Sequence, residues 1–192
     1  MTAICPIKLK GNWDVGYALN LHSISSTYCG EDEFGNNQFD TKRTNWGELI
    51  YKLKYQHDLS VIPEVVEAVI TFINRFHYKF DLIIPVPSSR FRSLHPVFEI
   101  AKNVGARLNK SVEYNVLRKI RRTPEQKDVE QKIPLTDSFS VVGTIINDKS
   151  ILLLDDLYQS GNTLNSICHV LREMGHVKAI NVITITKTRK SQ

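Results

Sequence analysis

The sequence predicts an α/β fold, a parallel sheet flanked by helices, with a small β-rich appendage at its N-terminus. Two strand–loop–helix units carry that prediction. In one, the apolar run Ile151-Leu152-Leu153-Leu154 has the character of a strand buried on both faces. A loop follows it, and then Leu164, Ile167, Val170, Leu171 and Met174 recur at helical spacing. In the other, Phe80-Asp81-Leu82-Ile83-Ile84-Pro85-Val86-Pro87 opens into a polar loop before a helix from about Pro96 to Leu108. Residues 1–46 instead carry many Gly, Asn, Asp and Ser, so they form the expected appendage, and 47–192 the α/β domain.

Along the chain, Trp13, Val15, Tyr17, Leu19 and Leu21 alternate on one side of a strand within 13–25. Phe34-Gly35-Asn36-Asn37-Gln38-Phe39 reads as a turn between two short strands. Trp46 to Phe76 is helical in pattern. Leu49, Ile50 and Leu53 lead to a break at Tyr55-Gln56-His57-Asp58, and Pro63 then opens a helix bearing Val65, Val66, Val69, Ile70 and Ile73. Lys52 and Lys54 on this stretch are either a solvated face or within reach of a phosphate. Val112 to Leu117 and Phe139 to Ile146 predict further strands. Asn147-Asp148 predicts a turn, and Ala179 to Thr186 a last strand.

The 192 residues suit one domain with room for a small appendage, and 42% hydrophobic and 23% charged content is ordinary for a soluble globular chain. No apolar run is long enough to span a bilayer, and the start lacks a signal-peptide pattern. Cys5, Cys29 and Cys168 are odd in number and form no CxxC pair, which fits a reducing cytoplasm. His22 and Cys29 are close in sequence, but two candidate ligands do not make a zinc site. A net charge of +5 favours anionic ligands without choosing between phosphates and nucleic acid.

The chemistry concentrates after the apolar run. Asp155 and Asp156 are expected to stop the strand, and Tyr158-Gln159-Ser160-Gly161-Asn162-Thr163 leads into the helix. Such a loop offers backbone N–H groups to an anion at a helix N-terminus. Gly161 allows close approach or a positive φ, and Ser160 and Thr163 add hydroxyl donors. Carboxylates beside a phosphate cradle make sense if they face sugar hydroxyls or hydrated magnesium. A ribose 5-phosphate fits both halves. The loop Ser88-Ser89-Arg90-Phe91-Arg92 supplies hydroxyls and two arginines, which suit a diphosphate. The basic run Arg118-Lys119-Ile120-Arg121-Arg122 suits a nucleic-acid patch or a lid over an anionic substrate. No aromatic residues interleave with it, so base stacking is not indicated.

Ile151 to Thr163 resembles the phosphoribosyl pyrophosphate signature of type I phosphoribosyltransferases: apolar residues, two acids, two variable residues, then Thr-Thr-Gly-x-Thr. Gln159 and Ser160 stand where threonines are common. The wider set Leu53-Lys54-Tyr55, Ile84-Pro85-Val86-Pro87, Leu117-Arg118-Lys119 and Arg122-Thr123-Pro124-Glu125-Gln126 is similar to the ComF-like branch, over about Gly47 to Thr186. The paired cysteines of that branch's N-terminal zinc ribbon have no counterpart here, so no metal ligand is carried over.

The resemblance implies a type I phosphoribosyltransferase-like sheet with a flexible loop and a hood, the latter supplied by residues 1–46. It implies transfer of a phosphoribosyl group to a nitrogen acceptor with release of pyrophosphate, with Mg2+ carried mainly by the substrate diphosphate. Asp155 and Asp156 would hold the ribose hydroxyls, and Tyr158, Gln159, Ser160, Gly161, Asn162 and Thr163 the 5-phosphate. Ser88, Ser89, Arg90 and Arg92 would bind the diphosphate, and Arg118, Lys119, Arg121 and Arg122 would close over it. A strained cis peptide is expected within Pro87-Ser88-Ser89. The expected partner is phosphoribosyl pyrophosphate or a nucleotide, with nucleic acid less favoured, no membrane, and a homodimer left open. The alternative function is a non-catalytic nucleotide-binding regulator, or a DNA-processing partner that keeps the pocket.

Overall fold

The computed structural model of the chain describes residues 3–88, 95–120 and 139–189. Its centre is a six-stranded sheet in the order β1-β2-β10-β9-β5-β6. These strands are β1 (Ile7–Lys8), β2 (Val15–Leu21), β5 (Leu82–Pro85), β6 (Ser111–Val112), β9 (Ser150–Tyr158) and β10 (Ala179–Lys187). All neighbours run parallel except β1, which pairs antiparallel with β2. Helices cover both faces, as a parallel sheet requires.

The pleat of β9 shows why. Leu152 and Leu154 face a core built with helices α1 (Asn45–Tyr51), α2 (Ile62–Arg75) and α3 (Pro96–Leu108). Ile151 and Leu153 face the opposite core, closed by helix α4 (Asn162–Glu173). All four side chains are fully buried, each contributing roughly 2 kcal/mol of transfer free energy. In α2, Val65, Val66, Val69, Ile70 and Ile73 are buried on one stripe, and Pro63 sits in the first turn, where a missing N–H costs nothing. Helix α3 starts at Pro96 and ends at Asn109, whose left-handed φ of 51° closes it.

Several elements differ from the sequence expectation. The acids do not stop β9. It runs through them to Tyr158, because β10 keeps pairing alongside, Thr184 with Asp155 and Lys187 with Tyr158. The stretch expected as one strand from Val112 to Leu117 is split. β6 ends at Val112 in the central sheet, and β7 (Leu117–Lys119) pairs antiparallel with β8 (Phe139–Val141) in a separate small sheet. β8 stops at Val141, well short of Ile146, and Gly143 follows with a φ of +81°. At the N-terminus, β3 (Ser23–Glu31) and β4 (Asn37–Arg43) form a two-stranded hairpin around the expected turn. β1 and β2, by contrast, extend the central sheet. Because β2 is covered on both faces, its side chains divide: Leu19 joins one core, Ala18 joins the other, and Val15 is exposed.

Candidate active site

The register of the sheet creates a crevice. β5 pairs with β9 only as far as Pro85 opposite Leu154, and Val86 N–H then donates to Leu154 O. Beyond that point Asp155 to Tyr158 pair with β10 alone. The chain after β5 peels away, and Pro85 and Pro87 supply no N–H to continue a ladder. Open α/β sheets bind ligands at this kind of place, outside the carboxyl ends of strands.

A cavity of about 210 Å³ fills the crevice, with Asp155, Asp156, Ser88, Lys119, Gln159 and Thr163 among its lining residues. A smaller depression of about 130 Å³ adjoins it, where Asp155 and Gln159 meet Tyr158, Ser160, Gly161 and Thr163. Asp155 thus lines both spaces, and Asp156 the main cavity. Gly161 caps α4 with a φ of +83°, and a methyl group there would collide with the Tyr158 ring. The turn between β1 and β2 braces the loop and the first turn of α4. Trp13 packs edge-on against Tyr158 at 6.3 Å, and Asn12 N–H donates to Asn165 Oδ1 at 2.9 Å.

The two acids are not equivalent. Lys54 Nζ donates to Asp156 Oδ1 at 2.7 Å, and both side chains are largely shielded from water. Thr186 Oγ1 donates to the Asp156 carbonyl at 3.0 Å. Asp155 accepts the Asp156 N–H at 2.8 Å. Its carboxyl is pushed up to about 8, first by burial and then by the neighbouring Asp156 charge, with the Asp156 N–H and Lys54 opposing the shift. Asp155 therefore resists ionisation, beside an ion-paired Asp156.

Of the residues singled out from sequence, Asp155, Asp156, Ser88, Lys119, Gln159 and Thr163 converge on the main cavity. Tyr158, Ser160 and Gly161 line the depression beside it. Asn162 and Arg118 line neither, though Asn162 N–H donates to Ser160 Oγ at 3.4 Å and Arg118 lies on β7, exposed. Ser89, Arg90, Arg92, Arg121 and Arg122 lie outside the described residues. No described peptide bond is cis, and the bond into Ser89 also falls outside.

A family model described as a phosphoribosyl transferase domain matches residues 58–192. The chain belongs to the phosphoribosyl transferase family. Solved structures with TM-scores above 0.5 repeat the fold at low identity. Against adenine phosphoribosyl transferase from Trypanosoma brucei, solved with AMP, pyrophosphate and ribose-5-phosphate, identity is 10% and the TM-score 0.55, covering 97% of this chain and 76% of that one. Against adenine phosphoribosyltransferase from Saccharomyces cerevisiae, identity is 11% and the TM-score 0.51, covering 85% and 84%. Against Leishmania donovani UMP synthase, identity is 15% and the TM-score 0.45, and the chain spans 28% of that enzyme's length. No curated protein sequence gives a match.

Lys54, Asn12 and Trp13 contribute to this crevice in ways that the sequence did not show. Lys54 read mainly as part of a solvated face, or else as within reach of a phosphate, and the structure pairs it with Asp156, 102 residues away. Its setting, a π-turn over Lys52–Gln56, is a local irregularity of the kind that often accompanies functional positions. The bracing role of Asn12 and Trp13 had no signal, since it depends on β2 lying beside β10.

Proposed function

We propose that the protein takes phosphoribosyl pyrophosphate with Mg2+ on its diphosphate, transfers the phosphoribosyl group to a nitrogen acceptor and releases pyrophosphate. One observation carries this reading: the acid pair and the glycine-capped loop before α4 open onto the same crevice at the ends of β5 and β9. A ribose 5-phosphate spans those features. The amides from Gln159 to Thr163 take its phosphate at the α4 N-terminus, and Asp155 and Asp156 take its hydroxyls.

The bond from the anomeric carbon to the diphosphate oxygen breaks, and its electron pair leaves with pyrophosphate as the nitrogen–carbon bond forms. Positive charge grows on the sugar ring, where the Asp156 carboxylate is fixed by Lys54 and needs no reorganisation. Ser88 meets the diphosphate at the end of β5, together with Ser89, Arg90 and Arg92. Lys119 approaches from β7, with Arg118, Arg121 and Arg122 completing a basic cover. Magnesium belongs to this reading as part of the substrate. Asp156 is already engaged by Lys54, which suits a carboxylate facing sugar hydroxyls better than one holding a resident ion.

Within the family we place the chain in the ComF-like branch, on the Leu53-Lys54-Tyr55 and Ile84-Pro85-Val86-Pro87 phrases, and infer a cytoplasmic location. We take 47–192 as the catalytic domain and residues 1–46 as its hood, whose β1 and β2 join the central sheet while the β3–β4 hairpin projects from it. Calorimetry with Mg2+ and phosphoribosyl pyrophosphate tests the reading, with Asp155→Asn/Asp156→Asn as control. We expect saturable binding by wild type, at least about 100-fold weaker in the double variant. Absence of wild-type binding overturns the proposal. Binding without pyrophosphate release across a panel of nitrogen bases and amines favours the non-catalytic regulator or DNA-processing partner instead.

A further inference from the structure

A second chamber of about 150 Å³ lies beside the main cavity, lined by His22, Arg43, Tyr51, Tyr55 and two residues common to both spaces, Lys54 and Leu157. We propose that His22 is a catalytic residue, the base that accepts the N–H proton of a planar nitrogen heterocycle held in this chamber. The inference rests on the phosphoribosyl-transfer reading and deepens it.

The ring's orientation and tautomer follow from a short chain of hydrogen bonds. Thr186 Oγ1 gives its only proton to the Asp156 carbonyl at 3.0 Å. It must therefore accept at its contact with His22 Nδ1, also 3.0 Å away. Nδ1 carries the proton, and Nε2 is left as the lone-pair nitrogen. The His22 backbone is equally fixed. Its N–H donates to Lys187 O at 2.8 Å, and its carbonyl accepts from Thr44 N–H at 3.1 Å. Helix α1 presses against that carbonyl so closely that any side chain at Gly47 would collide with it. The arrangement fixes the imidazole one hydroxyl away from the Asp156 carbonyl, with Nε2 as its lone-pair nitrogen.

The chamber walls suit a flat ring. Tyr51 and Tyr55 pack at a tilt of 32° with centroids 5.0 Å apart, and the Arg43 guanidinium lies 3.9 Å over the Tyr51 ring. The groups facing His22 are Lys54 from the π-turn, Arg43 from the end of β4 and Asp156 from β9, and Glu48 sits 3.9 Å from Arg43. Burial, then Lys54 and Arg43, hold the imidazole below its ordinary 6.5, with Asp156 opposing, so it is neutral and able to accept at neutral pH. As the nitrogen–carbon bond forms and the carbon–oxygen bond to pyrophosphate breaks, the N–H bond breaks toward Nε2. The two cations then favour passing that proton on to water or the departing pyrophosphate.

Two measurements on the full chain decide the matter. Histidine-selective 15N NMR of the ligand-free protein should show His22 protonated at Nδ1 with Nε2 titrating below 6.5. A ring protonated at Nε2, or titrating at or above that value, overturns the assignment without any substrate. Steady-state pyrophosphate release, with adenine, guanine, uracil and orotate as acceptor probes, then compares wild type with His22→Gln and with Thr186→Val. We expect His22→Gln to lower kcat roughly 100-fold and to erase its acidic limb, with the dissociation constant for phosphoribosyl pyrophosphate within about twofold of wild type. We expect Thr186→Val to lower kcat less, through loss of the tautomer. Release by His22→Gln matching wild type, with the acidic limb intact, overturns the role of His22 alone. Absence of binding or release in wild type overturns the transfer reading and this role with it.

Discussion

Asp155 occupies a position that costs the folded chain stability for the sake of its site. Its folded-state value is raised to about 8 from the ordinary 3.8, so the folded form resists ionisation that the unfolded chain undergoes freely. The cost is absent below pH 3.8, grows as pH rises, and levels off near pH 8. Asn at this position keeps an oxygen for the Asp156 N–H but never ionises. Thermal melts of Asp155→Asn should therefore match wild type near pH 4 and exceed it by the most near pH 8. A gain independent of pH would contradict the origin given for the shift. Gly161 is constrained differently, by a φ of +83° and by the adjacent Tyr158 ring. Gly161→Ala should cost about 1–2 kcal/mol in urea unfolding and weaken phosphoribosyl pyrophosphate binding. The conformation at Gly161 was legible in the sequence, because glycine is the residue that readily takes a positive φ in such a turn. The upward shift at Asp155 was not, since it arises from burial by segments distant in sequence.

At the level of elements, the site is made by strands of unequal length. β9 and β10 continue past the end of β5, and the π-turn after α1 supplies Lys54 to the stretch of β9 left without β5. Lys54→Met would strand Asp156 in a largely buried position beside Asp155, with a cost of about 3 kcal/mol. Adding Asp156→Asn should recover most of it, and a double-mutant cycle by chemical denaturation measures the coupling. Additive effects would show the pair to be energetically idle. The strands of the two βα units and helix α3 were legible because apolar runs, prolines and helical spacing are local signals. The split of Val112–Leu117 between two sheets was not. Its halves read as one β-like stretch, and their partners, β5 and β8, are set by tertiary packing.

Across the whole molecule, the N-terminal region divides at His22. β1 and β2 complete the central sheet, while the β3–β4 hairpin stands apart with most of its residues exposed. Its two ends already meet, since Thr44 N–H donates to His22 O at 3.1 Å and Thr44 Oγ1 to Leu21 O at 2.6 Å. Replacing residues 24–42 by a short Gly-Ser link should leave the melting temperature within a few degrees, as few core contacts are lost. A collapse of the fold on that change would show the hairpin to be structural. The sequence pointed to a β-rich start but not to this division, because β2 finds its partner β10 more than a hundred residues later. The family match, by contrast, begins only at residue 58, after the strands and helix that brace the loop and supply Lys54. The central claim is that a sugar phosphate lies between the acid pair and the α4 loop. A crystal structure of the full chain with ribose 5-phosphate tests it most directly. The account predicts the phosphate on the amides of Gln159 to Thr163 and the ring hydroxyls on Asp155 and Asp156; a ligand bound elsewhere, with both acids untouched, would contradict it.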